Sequence, residues 1–140
     1  MNDEKVPYLE MVQNTIDKMS ANSAILKGFA ATVVTGISAI SFTEIDKWVL
    51  LLSLIPVISF FALDVYYLLL ERRFRYLYDN IRDGEQPVNY SMAVDIPKEK
   101  LEQSGARLRD CFRSPSILLF YLPVLLVVSA ILAMKFGGRI

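Results

Sequence analysis

The sequence predicts an all-α membrane protein. It has three transmembrane helices, an N-terminal amphipathic helix and a small helical cytoplasmic segment, and it is expected to assemble as a homo-oligomer. Three observations carry that prediction. Long apolar runs alternate with charge-dense segments in a chain of 140 residues that is 54% hydrophobic and 21% charged. Two ionisable residues, Lys27 and Asp64, stand inside runs that otherwise read as membrane-spanning. Lysine and arginine gather at one set of span ends.

Residues 1–22 read as the amphipathic helix. Pro7 suits a first turn, and Leu9, Val12, Ile16 and Met19 follow one helical face away from Glu10, Asn14 and Lys18. The pair Asn22 and Ser23 marks a bend or cap before the first span, residues 23–42. The second span, residues 47–70, runs from the interface residue Trp48 to the Tyr66 and Tyr67 pair. Its apolar pattern continues through Phe74, Leu77, Tyr78 and Ile81, which predicts one long helix from about Lys47 to Arg82, stopped at Gly84. Residues 71–114 form the cytoplasmic extension and loop: residues 85–96 include Pro87 and Tyr90, and Pro97 opens a short charged helix with Leu101 and Leu108 on one side. The third span, residues 115–136, is capped by Ser114 and started by Pro115, with a kink expected at Pro123. Rich in Leu and Val, it reads as a lipid-facing support for the other two.

Orientation follows from the basic residues. Nine lie in 71–114, and Lys5 and Lys18 bring that side to eleven, against Lys47, Lys135 and Arg139 on the other. This distribution places the N-terminus and the 71–114 loop in the cytoplasm and the C-terminus in the periplasm of a bacterial inner membrane. The first ten residues are acidic and polar, so no cleaved signal peptide is expected.

The spans leave little length for a soluble catalytic domain. One cysteine, Cys111, and no histidine exclude an intramolecular disulfide and the usual Cys/His metal sites. There is no Walker loop and no dinucleotide fingerprint. Asp79 and Asp83 share a helix face, but Arg75 and Arg82 beside them suggest a solvated surface. No enzyme activity, catalytic set, metal or cofactor is expected.

The polar residues within the spans carry the functional signal. At about 1.5 Å of rise per residue, Lys27 and Asp64 both lie roughly 6–10 Å below the basic surface. Antiparallel packing of the first two spans brings them within reach. Two readings stand: a structural ion pair that sets helix register, and a conduction or gating element. Lys27 has the length to snorkel toward headgroups, whereas the short Asp64 does not. The first span also carries Ala24, Gly28, Thr32 and Gly36 at four-residue spacing, a pattern that allows close helix approach within or between copies. Thr32, Thr35 and Ser38 give it a hydroxyl face, fit either to line a pore or to bond its own carbonyls in a packed helix. Beyond the second span, Arg72, Arg73 and Arg75 interleave with Phe74, Tyr76 and Tyr78, with Arg82 two turns on. Arginine forks and aromatic faces suit a nucleotide or an oligonucleotide, and the same basic residues suit anionic lipid.

Three blocks carry a resemblance: YLEMVQN at 8–14, the Asn22 and Ser23 pair with Leu26, Lys27 and Gly28, and DVYYL at 64–68 with ERRFRYLYD at 71–79. Over roughly its first 80 residues the chain resembles the small three-span membrane effectors of nucleotidyltransferase-associated anti-phage systems, the Hailong type. The resemblance implies a homo-oligomeric ion channel held inactive by single-stranded DNA oligomers made by a partner nucleotidyltransferase, then released on infection to depolarise the cell. Lys27, Asp64, Arg72, Arg73 and Arg75 fall within the matching blocks, and the third span lies outside them. The expected function is therefore an inner-membrane channel effector controlled by a cytoplasmic nucleotide or single-stranded DNA oligomer. A chain this small encloses a pore only as several copies. The alternative is a non-conducting accessory or scaffold subunit of a larger membrane complex.

Overall fold

The structure is a computed structural model that describes residues 4–138, with side chains at all of these except 102–104. Arg139, counted above for orientation, lies outside the described residues. Among the described residues, six helices follow in order: α1 (Lys5–Ile40), α2 (Lys47–Leu52), α3 (Leu54–Arg82), α4 (Lys98–Ser104), α5 (Leu108–Phe112) and α6 (Pro115–Phe136). There is no strand among them. Among the described residues, three helical stretches are long and apolar enough to cross a membrane: Lys5–Ile40, Lys47–Arg82 and Pro115–Phe136.

Two of the long stretches differ from the sequence reading in where their helices begin or break, each for a local reason. α1 continues from Lys5 to Ile40 without the bend expected at Asn22 and Ser23, so residues 1–22 and 23–42 are not separate helices. Asn and Ser are only mildly unfavourable in a helix interior, by less than about 1 kcal/mol, and no proline enforces a stop. The second long stretch is not one helix, because it breaks at Ser53 between α2 and α3. Pro56 supplies the cause. It has no N–H for the carbonyl four residues earlier, and its ring crowds that carbonyl, which belongs to Leu52, the last residue of α2. Placed in the first turn of α3, the same proline gives up nothing, since that turn's N–H groups have no helical partner anyway.

The chain forms two compact units: one from the N-terminal part up to Ser23 with Val65–Phe112, the other from Ala24–Asp64 with the chain from Arg113 onward. In the first unit, Tyr8, Val12 and Ile16 of α1 bury against Leu77 and Ile81 of α3. The face is thus centred on Tyr8, with Leu9 half-buried beside it. Val88, Met92 and Val94 pack over this core. The Tyr8 hydroxyl donates to the Ser91 carbonyl, and its ring lies 5.4 Å from that of Tyr90. Lys5 donates to the Arg82 carbonyl at 2.8 Å, covering the end of α3. There Gly84 takes a φ of +81°, and Glu85 N–H returns to the Asn80 carbonyl at 2.9 Å. The charged segment after Pro97 is two short helices instead of one. Gly105, at φ +66°, turns the chain between them, so Leu101 and Leu108 sit on different helices.

In the second unit, Val34 and Ile37 of α1, Leu50 of α2, Val57 of α3 and Val128 of α6 form the core. Asp46 caps α2 through the Trp48 N–H. Lys135 donates to the carbonyls of Ser41 and Thr43 at 3.3 and 2.9 Å, fastening the end of α6 to the end of α1. Lys47 sits 5.1 Å over the Phe136 ring, which Trp48 meets edge-on. α6 runs through Pro123 as one continuous helix, started by Pro115, while Ser114 takes the extended N-cap conformation without a side-chain cap bond. α6 is not wholly a lipid-facing support. Ile117, Tyr121, Val128 and Ile131 form a buried face, and Leu119, Leu122, Leu125 and Leu126 lie outward.

Candidate functional site: a buried ion pair between apolar helices

Lys27 on α1 and Asp64 on α3 meet within the second unit, Lys27 Nζ lying 2.7 Å from Asp64 Oδ2. Asp64 is fully enclosed and the Lys27 side chain keeps 18% exposure. Apolar and aromatic groups surround the pair. Phe60 and Phe61, about one turn before Asp64, share its side of α3; Phe60 stacks with Phe29 at 6.0 Å and Phe61 meets Tyr121 edge-on at 5.0 Å. Ala30, also on α1, is fully buried. Together the two charges are neutral, so the pair is tolerable in an apolar setting, while either charge alone is not.

The hydroxyl face of α1 bonds to its own helix. Thr32 donates to the Gly28 carbonyl at 3.0 Å, Thr35 to Ala31 at 2.8 Å and Ser38 to Val34 at 2.8 Å. Thr32 and Thr35 are nevertheless exposed, as are Ala24, Gly28 and Gly36. A Cβ added at Gly28 or Gly36 would meet no atom within 4 Å. Among the described residues, then, the stripe has open space at both of its glycines.

The arginine cluster, in the first unit, divides by environment. Arg72 donates to the Gly105 carbonyl at 2.7 Å and so holds the turn between α4 and α5. It lies beside the buried Cys111, whose thiol burial pushes above its ordinary range against a smaller downward pull from Arg72. Arg75 grips Glu71 Oε1 through Nε and Nη2 at 3.1 and 2.8 Å. Arg82 contacts Asp79 and Asp83 at 3.4 and 3.3 Å. Arg73 is exposed and Tyr76 half-buried. A groove of about 240 Å³ brings Arg75, Tyr78, Asp79 and Arg82 of α3 together with Gln13 and Ile16 of α1. Arg72 and Arg73 are not part of it.

Three residues that shape these sites stand outside the sequence-based expectations, although each leaves a signal in the chain. Pro56 is a helix-breaking residue near the start of the second span. Tyr121 is a phenol in a helix otherwise built largely from Leu, Val and Ile. Gly105, four residues after Leu101, signals that the charged segment turns. The fold and the site together define a small helical protein with three membrane-length helices and a buried ion pair between two of them. No family model, curated protein or solved structure matches the chain.

Proposed function

We propose that this chain is the subunit of a homo-oligomeric ion channel in the bacterial inner membrane, an anti-phage effector that depolarises the cell when a cytoplasmic nucleotide or single-stranded DNA oligomer permits. The observation that carries the reading is the Lys27–Asp64 pair, 2.7 Å apart with Asp64 fully enclosed. Ionisable residues placed between apolar helices mark ion paths, and a pair whose charges compensate each other when closed and stand uncompensated when parted is a natural gate. The exposed Thr32 and Thr35, with half-buried Ser38 beside them, supply a polar face that the protomer leaves uncovered. Three helices do not enclose a hydrated pore, so that face lines one only where several copies meet. The charge distribution supports a cytoplasmic N-terminus and 71–114 segment and a periplasmic C-terminus. Control by a nucleotide or DNA oligomer draws support from exposed Arg75 and Arg82 beside Tyr78, from exposed Arg73 nearby on the same helix, and from the resemblance to Hailong-type effectors.

One observation favours the scaffold alternative: Thr32, Thr35 and Ser38 are already satisfied by their own helix and need no water. Induced expression in bacteria separates the two readings, with membrane potential followed by a voltage-sensitive dye. A channel depolarises the cells when expressed alone and less so beside an oligonucleotide-synthesising partner. A scaffold leaves the potential unchanged in both cases.

A further inference from the structure

Asp64 has a second neighbour, on the third long helix. Tyr121 is 8% exposed; its hydroxyl is enclosed with no hydrogen-bond partner among the described residues, and its ring meets Phe61, one turn before Asp64 on α3, which sets the phenol beside the carboxylate. The ring has little freedom, because Phe61 meets it edge-on at 5.0 Å and Phe120 at 4.8 Å. Only the hydroxyl proton turns freely, about the bond from ring to oxygen. A buried phenol left without an acceptor is costly, and a phenylalanine would fill nearly the same space. An ionised carboxylate offers about four acceptor positions, more than one lysine fills.

We infer that Tyr121 is a positioning residue for the ion pair: its hydroxyl is the second donor to Asp64, keeping the carboxylate in place when Lys27 moves and joining α6 to the pair. Asp64 is thereby addressed from two helices, by a cation on α1 and by a phenol on α6. Lys27 has the long stem and residual exposure needed to leave; Tyr121 has neither. Loss of the lysine contact leaves the carboxylate with a donor still at hand, which lowers the barrier to parting the pair. The importance of this bond for gating rests on the channel reading, whereas the bond itself does not.

The test is infrared difference spectroscopy on the full chain in lipid nanodiscs. Asp64→Asn identifies the Asp64 carboxylate stretch by its disappearance. Tyr121→Phe keeps the ring and its contacts and removes only the hydroxyl, and it is expected to move that stretch to the position of a carboxylate with one donor fewer. A substitution that disturbs packing two turns further along α6, Val128→Ala, is expected to leave the stretch in place. An Asp64 band at the same frequency in the parent and in Tyr121→Phe overturns the inference. Should Tyr121→Phe fail to accumulate, Asp64→Asn alone decides. Its difference spectrum is expected to contain a tyrosine C–O band, because the phenol exchanges an ionised acceptor for a neutral amide oxygen, and the absence of any tyrosine band overturns the inference equally. Neither readout needs conduction, so failure here leaves the depolarisation result untouched, and failure to depolarise leaves this result untouched.

Discussion

Removing one member of the Lys27–Asp64 pair is expected to do more harm than removing both. At 2.7 Å the two charges attract by about 6 kcal/mol if the effective permittivity is near 20. Taking each ion out of water costs several kcal/mol, so the intact pair contributes little net stability. A stranded partner has no such offset, and breaking a buried pair from one side costs about 3–5 kcal/mol. The two sides are unequal. Lys27 is 18% exposed with a long stem and has a route toward the headgroups, whereas Asp64 is 0% exposed and short. Asp64→Asn should therefore fall near about 3 kcal/mol and Lys27→Met near about 5 kcal/mol, roughly two to four orders of magnitude in the folded ratio. The double variant should lie close to the parent, far below the roughly 8 kcal/mol to which the two single losses would add. Unfolding in mild detergent measures the stability terms. Depolarisation and growth arrest on induced expression, corrected for protein in the membrane, measure the functional ones. Effects that simply add, or an Asp64→Asn variant weaker than Lys27→Met, would refute the reasoning.

Four further outcomes follow from the same structure. Reporter fusions at Gly84 should read as cytoplasmic and fusions after Arg139 as periplasmic; a shared compartment for the two would mean an even number of spans. Gly28→Leu and Gly36→Leu meet open space in the protomer, so folding stability should change by no more than about 1 kcal/mol while a crosslinked multimer in native membranes is lost; a monomeric parent would remove the channel. Charge reversal at Arg73 and Arg75 should weaken binding of single-stranded oligonucleotides, whose affinity for the parent should fall steeply with salt, whereas Arg72→Ala should instead loosen the α4–α5 turn by about 1–3 kcal/mol in unfolding experiments. Cys111 should react slowly with a thiolate-selective reagent at pH 8, because burial holds the thiol above its ordinary range and the protonated form persists as pH rises; reaction at the rate of a free thiol in the folded protein would contradict that placement.

Much of the architecture is legible in the sequence because its signals rarely arise by accident. A run of some twenty apolar residues is uncommon outside a membrane span, and an ionisable residue within such a run is rarer still. Counting residues from the basic surface puts Lys27 and Asp64 at similar depths, and in the structure they lie 2.7 Å apart. Boundaries are less legible, since they depend on small local terms. Asn22 and Ser23 suggest a break where the helix has no strong reason to stop. Pro56 imposes one where the hydropathy shows nothing, because hydropathy weighs side chains and the break comes from a missing backbone N–H. The arginines illustrate the same limit. Their composition reads as one basic cluster, yet Arg72 is committed to the Gly105 carbonyl, thirty-three residues away, while Arg75 and Arg82 face a groove.

The third span shows where reading by composition stops. Leu, Val and Ile dominate it, and average hydropathy cannot distinguish a helix that only faces lipid from one that is lipid-facing on most of its surface and polar at one atom. Tyr121 differs from phenylalanine by that one oxygen, a local polar signal that the average over a 22-residue helix dilutes. Its importance arises only from position: the oxygen is enclosed, and the carboxylate it faces belongs to a helix more than fifty residues earlier in the chain. Charges announce themselves in an apolar run because water must be replaced by a partner. The partner need not be charged: a neutral donor on a neighbouring helix serves as well, and one phenol among Leu, Val and Ile is a fainter signal than a charge. The polar network of a membrane helix bundle should accordingly be sought from each charge outward, through every helix that packs on it, before a span is assigned to support alone.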